Sequence, residues 1–346
     1  MGGGSWSAST YAATTRSKID AGTSFSYTKS TSSRSRSDWK AAESLDPKKL
    51  AGDASPFKGL PVRESRDNAE HPNSVPIATI FDTTGSMGSV PTVTQEKLAG
   101  LFGLLLRQGY VEDPQIMIGA YGDAKVDQVP LQISQFESDN RIDEALDELF
   151  LEGGGGGNHG ETMSLAWYYL AYHTATDAWD KRGKKGYAFF VADEVDLGLR
   201  PEDIKKYILG GDTAPLGPVD KDSLTSEALA KAVSEKWDVY ILLIDNTAAS
   251  WQGSEKFYKN LFGEKHVLVV EDPNSIAKTI GLALGALEGT VDLDEDAEDD
   301  LKATGSNEVA IRSAINATSV LKGFGGGTVA KGSLDIDLDP GNTFRL

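Results

Sequence analysis

The sequence predicts an α/β protein with a doubly wound, mostly parallel six-stranded sheet, one antiparallel edge strand and helices on both faces. Short apolar runs alternate with amphipathic segments about six times across residues 75–289. The runs are continuous and rich in β-branched residues, which is typical of parallel strands buried on both faces. An alternating order of strands and helices builds parallel sheets, because each parallel pair needs a crossover connection.

Six segments are predicted as strands. The first, Val75–Asp82 (VPIATIFD), is apolar almost to its final residue. Pro130–Phe136 alternates apolar and polar positions, which indicates a hairpin partner or an edge strand. The remaining predicted strands are Gln115–Asp123, Tyr187–Asp193, Asp238–Asp245 and His266–Glu271.

Helices are predicted between the strands. Pro91–Gln108 carries apolar residues at the i, i+3, i+4 and i+7 spacing of one helical face. Glu161–Asp180 is predicted as one long helix whose aromatic residues pack in the core. Pro201 suits the first turn of a helix. The remaining predicted helices are Arg141–Phe150, Pro201–Leu209, Ser223–Trp237, Trp251–Phe262 and Ser275–Leu287.

Composition excludes several function classes. The chain has 346 residues, with 34 Lys and Arg against 52 Asp and Glu, a formal net charge of −18. Such a charge disfavours nucleic-acid binding by the molecule as a whole, since phosphate contacts need clustered Lys and Arg. The absence of cysteine excludes disulfides, thiol catalysis and Cys-based zinc sites, and it fits a reducing compartment. The four scattered histidines exclude an HExxH-type zinc enzyme.

Three regions differ in composition. Residues 1–74 are rich in Ser, Thr and Gly, carry 11 basic and 8 acidic residues, and are predicted as a partly flexible arm. Residues 75–289 carry 18 basic and 33 acidic residues and are predicted as one domain. Residues 290–346 are predicted as an acidic linker followed by a Gly-rich tail. An alternative for the arm is that it packs on the domain through residues such as Trp39 or Phe57.

The sequence contains no run resembling a membrane span. The longest apolar stretch, Leu98–Leu106, is far shorter than the roughly 18 residues a span requires. The N-terminus lacks the apolar region of a secretory signal. We therefore expect a cytoplasmic protein without membrane contacts.

Oxygen-bearing side chains gather where predicted strands end. The first strand runs into Asp82-Thr83-Thr84-Gly85-Ser86-Met87-Gly88, and Tyr187–Asp193 runs into Asp193-Glu194. A third cluster, Asn158-His159-Gly160-Glu161-Thr162, follows the glycine run Gly153–Gly157. Ligands bind beyond the carboxyl ends of parallel strands, at the point where the strand order reverses. Carboxylates and hydroxyls favour a hard cation such as Mg²⁺, Mn²⁺ or Ca²⁺.

The motif D-T-T-G-S-M at Asp82–Met87 resembles the metal-ion-dependent adhesion site of von Willebrand factor type A domains. The resemblance covers residues 75–289 and includes the order of elements and the Asp after YAFFVA. It implies that Asp82, Thr84 and Ser86 are first-loop metal ligands, Asp82 through a water, and that Asp193 is the third-loop ligand.

The resemblance leaves the second-loop ligand open. Family members commonly use a Thr there, for which Thr162 is the nearest match. Integrin β-type members use a Glu, which makes Glu161 also plausible. Each residue also has a structural interpretation: Ser86 or Thr84 as a helix cap, Glu161 as a first-turn carboxylate that complements a helix dipole, and Asp123 as a structural residue beside the site. His159 is expected at the rim rather than among the ligands.

Three functions remain open. In the family, a carboxylate of a partner protein commonly fills an open position on the metal, and intracellular relatives are often adaptors for MoxR-type AAA+ ATPases. The resemblance therefore implies a metal-dependent protein-binding module that is not an enzyme. One alternative is a structural or virion-associated scaffold with the same fold. The other is a phosphohydrolase with Asp82 as nucleophile, but that class needs an acid two residues later, where this chain has Thr84.

Overall fold

A six-stranded, mostly parallel sheet with helices packed on both faces forms the centre of the protein. A computed structural model describes residue 17 and residues 25–323, apart from residues 99, 108, 154–159, 211–212, 246–248 and 303–306. The strands are β1 (Arg63–Ser65), β2 (Val75–Asp82), β3 (Pro114–Tyr121), β4 (Leu131–Ile133), β5 (Thr174–Thr176), β6 (Gly186–Ala192), β7 (Trp237–Ile244) and β8 (Val267–Val270).

The helices between the strands follow the predicted order, except that two predicted helices are interrupted, and three further helices lie in the predicted arm and linker. They are α1 (Ser26–Ser32), α2 (Val90–Leu98), α3 (Leu101–Arg107), α4 (Arg141–Glu148), α5 (Ser164–Tyr172), α6 (Asp177–Arg182), α7 (Pro201–Tyr207), α8 (Ser226–Lys236), α9 (Ala249–Phe262), α10 (Ile276–Glu288), α11 (Ala297–Lys302) and α12 (Glu308–Thr318).

The strand order is β4-β3-β2-β6-β7-β8. Every pair in this sheet is parallel except β3 with β4, so the predicted antiparallel edge strand is confirmed. The chain moves outward from β2 to β3 and β4, then crosses to the other side of β2 to form β6, β7 and β8. The strand order therefore reverses at β2, and a crevice is expected beyond its carboxyl end.

Alternate residues of the central strands enter two separate apolar layers. Phe81 and Phe189 face one layer, which is covered by α2, α3, α10 and α12. Ile80 and Phe190 face the other, which is covered by α5, α7, α8 and α9. Because successive side chains of a strand point to opposite faces, continuous apolar runs are what a doubly covered sheet requires. The predicted α/β class with a mostly parallel sheet is confirmed.

The predicted long helix Glu161–Asp180 is wrong. Only α5 and α6 are helical, and β5 lies between them and pairs in parallel with β1 to form a second, two-stranded sheet. Thr174 and Thr176 are β-branched and favour an extended backbone once a partner strand is available. The Thr176 hydroxyl then accepts a hydrogen bond from the Trp179 N–H and caps α6. Trp167, Tyr168 and Tyr169 of α5 are buried in the core, as expected, whereas Tyr172 is half-buried.

A second helix is also interrupted. The predicted helix Pro91–Gln108 is two helices, α2 and α3, with Gly100 in a turn between them. The Gly100 N–H bonds to the Lys97 carbonyl, which is the shorter spacing of a turn. Glycine is a poor residue for a helix interior, which accounts for the break.

Apolar packing crosses both predicted domain boundaries. Leu45, in the predicted arm, is fully buried in the first layer, and Trp39 lies edge-on against Phe150 with ring centroids 5.2 Å apart. Beyond residue 289, Leu301 and Ile311 enter the same layer from α11 and α12. That residues 75–289 form a domain of their own stays a prediction. No helix in the described ranges is long and apolar enough to cross a membrane.

We expect Leu45→Ala to lower the free energy of unfolding by about 2–5 kcal/mol, because it leaves a cavity in the first apolar layer. Leu50→Ala is the matched control, since Leu50 lies in the same segment but is 46% exposed. Its expected effect is below about 0.5 kcal/mol. Urea unfolding curves of the two variants test this, and equal midpoints would show that residues 25–74 do not add to the core.

Candidate metal centre

The first loop turns sharply so that three oxygen-bearing side chains lie together. Asp82 is completely buried at the end of β2, and its Oδ1 accepts a 2.7 Å hydrogen bond from the Thr84 N–H. The hydroxyls of Thr84 and Ser86 are 3.1 Å apart. Ser86 is exposed, whereas Thr84 is buried. Gly88 ends this turn with φ +54°, a conformation that glycine adopts at little cost. The cluster is therefore open to solvent at Ser86.

The third loop meets the first because β2 and β6 are parallel neighbours. Phe81 is in register with Val191, so the residues that follow both strands emerge at the same edge of the sheet. Asp193 is buried there, and its Oδ1 accepts a 3.3 Å hydrogen bond from the Ser86 hydroxyl. The structure thus brings Asp82, Thr84, Ser86 and Asp193 together.

The second loop is joined to the third by a short stretch of parallel pairing. The Glu161 N–H bonds to the Val195 carbonyl, and the Leu197 N–H bonds to the Glu161 carbonyl. A Cβ at Gly160 would lie 2.6 Å from Leu197, so the backbone can approach this closely only at a glycine. Glu161 precedes α5 by three residues and is not in a helix, so its interpretation as a first-turn carboxylate is wrong.

Glu161 and Thr162 face different neighbours. The Thr162 hydroxyl accepts a 3.0 Å hydrogen bond from the Ala124 N–H and lies 3.3 Å from Asp123 Oδ1, to which it donates. The Glu161 carboxylate instead interacts with Asp82 and with the Thr84 hydroxyl. Both residues are buried. Glu161 therefore reaches the first loop, and Thr162 links the second loop to the end of β3.

Burial and mutual repulsion dominate the electrostatics of this cluster. Burial, and next the charge of Asp193, raises the pKa of Asp82 well above its usual range. Burial, and next the charge of Asp82, raises the pKa of Glu161 strongly. Burial raises the pKa of Asp193 to about 6. For each of these three groups, burial is the main cause of the raised pKa, and the charge of a neighbouring carboxylate adds to it.

Asp127 is a buried acid near the site that the sequence analysis did not single out. Its Oδ2 accepts a 2.7 Å hydrogen bond from the Asp123 N–H, and burial raises its pKa to about 6. A Cβ at Gly122 would lie 2.4 Å from Asp127 Oδ2, so the glycine makes room for this carboxylate. Asp127 lies six residues beyond the end of β3 and follows no strand directly, so no sequence signal marks it.

Two tyrosines tie the strand ends together beneath the cluster. The Tyr121 hydroxyl donates to the Val191 carbonyl at 3.1 Å, across β2. The Tyr258 hydroxyl donates to the Glu194 carbonyl at 2.7 Å. Both rings are buried. These bonds satisfy polar atoms inside the core and hold the loop after β6 in place.

The donor set is chemically suited to a hard divalent cation. Asp82 Oδ2 and Glu161 Oε2 are buried without a hydrogen-bond partner, an arrangement that costs free energy unless a ligand supplies the missing charge. Carboxylate and hydroxyl oxygens are the ligands that Mg²⁺, Mn²⁺ and Ca²⁺ prefer. Among the described residues, no three or more His or acidic side chains form a metal site by themselves. A site here would have to include the hydroxyls of Thr84 and Ser86.

Part of the second loop lies outside the described residues. The glycine run is described only at Gly153, whose N–H bonds to the Thr83 carbonyl at 3.1 Å. His159, expected at the rim of the site, falls in the range 154–159.

Comparisons with known proteins find likeness in structure alone. No model of a protein family matches the sequence, and no curated protein matches it at a significant level. Two crystal structures of the pilus adhesin SpaC from Lactobacillus rhamnosus GG are 9% and 10% identical over 65% of this chain, with TM-scores of 0.43 and 0.45. Proximal thread matrix protein 1 from the mussel byssus is 10% identical over 61% of this chain, with a TM-score of 0.36. The chain matches 31% and 32% of the length of the adhesin and 48% of the matrix protein, and likeness at this level supports no argument about function.

We expect the metal-free protein to become less stable as the pH rises from about 4 to about 7. Asp193 holds its proton up to a pKa of about 6 when folded and loses it near pH 4 when unfolded, so its contribution is complete below about pH 4 and fades above that. This one group accounts for up to about 3 kcal/mol. Urea unfolding in EDTA at a series of pH values measures it.

Asp193→Asn should flatten this pH dependence, whereas Asp222→Asn, at an exposed position, should leave it unchanged. An unchanged slope in Asp193→Asn would show that the carboxyl is not perturbed by burial.

Proposed function

We propose that the protein is a metal-dependent protein-binding module of the von Willebrand factor type A kind. The observation that carries the proposal is the buried, unpartnered Asp82 Oδ2 beside the Thr84 and Ser86 hydroxyls, at the point where the strand order reverses. The motif D-T-T-G-S-M places these residues as the resemblance implies. Asp82, Thr84, Ser86 and Asp193 would hold Mg²⁺, or Mn²⁺ or Ca²⁺ in its place.

The bound cation would supply a positive charge and an open position for a carboxylate of the partner. Burial and the charges of neighbouring carboxylates raise the pKa values of Asp82 and Asp193, so a bound cation would relieve an unfavourable arrangement. Exposed Ser86 marks the side from which a partner can approach. Two protein carboxylates and neutral hydroxyls leave a divalent ion with residual positive charge, which favours a Glu or Asp of the partner.

The contacts of the second loop favour Glu161 over Thr162 as the residue that this loop contributes to the metal site. The Thr162 hydroxyl is already engaged with Ala124 and Asp123, whereas Glu161 interacts with Asp82 and Thr84 and has an oxygen without a partner. We infer that Glu161 faces the metal, directly or through water, and that Thr162 positions the loop.

We further propose that the module acts as a cytoplasmic adaptor rather than as an enzyme, and that a MoxR-type AAA+ ATPase is a candidate partner. This step rests on the family resemblance and on the residue at position 84. A Thr there cannot act as the general acid that a phosphohydrolase with an Asp82 nucleophile needs. The proposal includes no membrane and no nucleic acid as partner.

Calorimetric titration with Mg²⁺ tests the metal site. We expect Asp82→Ala to abolish binding and Ser86→Ala to weaken it by about tenfold or more, because each removes an oxygen from the proposed ligand set. Ser89→Ala is the matched control, since Ser89 is also exposed, lies three residues away and is not a proposed ligand. In the same assay Glu161→Gln should weaken binding more than Thr162→Val. Equal heats for Asp82→Ala and the unchanged protein would overturn the site.

The adaptor role predicts that capture of a purified MoxR-type ATPase requires the metal. We expect binding in Mg²⁺, loss in EDTA and loss in Asp82→Ala, because the partner's carboxylate would have no cation to bind. Biolayer interferometry with the ATPase immobilised measures this. Binding that persists in EDTA and in Asp82→Ala would exclude a metal-bridged complex.

A further inference from the structure

Four basic side chains gather around one loop beside the candidate metal centre. The loop is Ala124–Val126, which begins three residues after the end of β3. The four side chains, which we call the basic rim, are Arg36, Lys48, Lys125 and Lys206. Their concentration is notable in a chain whose formal net charge is −18.

Hydrogen bonds place the members of the basic rim. Arg36 Nη2 donates to the Val126 carbonyl at 2.8 Å. Lys206 Nζ donates to the Tyr207 hydroxyl at 2.7 Å, and that hydroxyl donates to the Ala124 carbonyl at 3.0 Å. Lys48 Nζ lies 3.4 Å from the Lys206 carbonyl. Lys125 belongs to the loop itself and is exposed.

The loop that carries the basic rim also contacts the second loop of the metal centre. The Ala124 N–H bonds to the Thr162 hydroxyl, and the Lys125 N–H donates to Asp123 Oδ1, which also accepts from Thr162. Thr162 is the direct neighbour of Glu161. Hydrogen bonds therefore join the loop of the basic rim to the second loop of the metal centre.

Three of the four cations are available to a ligand. Arg36 is paired with Glu152 at 3.4 Å, and this carboxylate also accepts from the Gln128 and Val129 N–H groups. Within the described part of the chain, Lys48, Lys125 and Lys206 form no ion pair. Lys125 and Lys206 are exposed and Lys48 is half-buried, and an ammonium group that is not in an ion pair can pair with an acid from another molecule.

We propose that the basic rim recognises acidic residues of a partner protein that flank the carboxylate bound at the metal centre. This inference rests on the proposed function and adds the chemistry of the partner: an acidic segment with several carboxylates rather than a single Glu or Asp. The rim would offset the repulsion that a strongly negative protein exerts on such a segment, and it would select against partners with only one acid.

Binding of two peptides tests the proposal. One is fluorescein-labelled octaglutamate, and the other has one Glu and seven Gln. In Mg²⁺ at low ionic strength, we expect Lys48→Gln/Lys125→Gln/Lys206→Gln to bind octaglutamate about tenfold more weakly than the unchanged protein, and the single-Glu peptide within about twofold. Fluorescence anisotropy measures both. Arg36 is not substituted in this variant, because it forms an ion pair with Glu152.

Two controls make the result specific. The variant Lys58→Gln/Lys231→Gln/Lys302→Gln removes the same charge at exposed positions elsewhere and should bind octaglutamate like the unchanged protein. Mg²⁺ calorimetry on the rim variant should give an affinity within about threefold of the original, since no proposed ligand is altered.

Each failure has a distinct meaning. If the unchanged protein binds no Mg²⁺, the proposed function fails. If Mg²⁺ binds but the rim variant retains full affinity for octaglutamate, or loses affinity for the single-Glu peptide equally, only the rim proposal is overturned. Octaglutamate binding that persists in EDTA would also overturn the rim proposal. The same holds if the unchanged protein binds a twelve-nucleotide single strand as tightly as octaglutamate and the rim variant does not bind that strand.

Discussion

The burial of like charges at the carboxyl ends of β2 and β6 is the constraint on which the candidate site depends. These two strands are parallel neighbours in register, so the residues that follow them cannot avoid each other. Burial raises the pKa values of both Asp82 and Asp193, and the charge of Asp193 raises that of Asp82 further. Such an arrangement is unfavourable for folding by itself, and a fold that retains it needs either protons or a cation to complete it.

Neutral hydrogen-bond donors hold these carboxylates and the loop that follows β6. The Thr84 N–H binds Asp82, the Ser86 hydroxyl binds Asp193, and the Tyr258 hydroxyl binds the carbonyl that follows. Neutral donors orient a carboxylate without cancelling its charge, whereas an arginine would both orient and neutralise it. The site therefore retains its attraction for a cation. Elsewhere, acids are paired with bases in the ordinary way, as Asp177 is with Arg66 at 2.7 Å.

Much of the fold could be predicted from the sequence because its information is local. A strand buried on both faces needs a continuous apolar run, and β2 and β6 each show one. The short strand β5 could not be predicted in this way, because Thr174–Thr176 becomes a strand through pairing with Arg63–Ser65, more than a hundred residues earlier in the chain. The secondary structure of such a segment is set by the strand with which it pairs, so its own sequence pattern does not predict it.

The residues of the candidate site also differ in whether the sequence alone could place them. Asp82, Thr84 and Ser86 could be placed together because they alternate within one turn, and Asp193 because parallel neighbours end at one edge. The choice between Glu161 and Thr162 depended on two contacts between distant parts of the chain. The Glu161 N–H bonds to the Val195 carbonyl, and the Thr162 hydroxyl accepts from the Ala124 N–H. The spacing of apolar residues in the sequence reveals neither contact.

The structure shows where part of the basic charge of the N-terminal segment lies, which composition alone does not. Residues 1–74 carry an excess of basic residues and residues 75–289 a large excess of acids. Packing of Leu45 into the core and the contact of Arg36 with the Val126 carbonyl bring part of that basic excess to the edge of the acidic site. Attraction between oppositely charged groups decays within about 10 Å at ordinary salt, so only bases held this close can influence what binds there. Because packing fixes the described residues 25–74 against the sheet and its helices, the charge of Arg36 acts at the loop after β3.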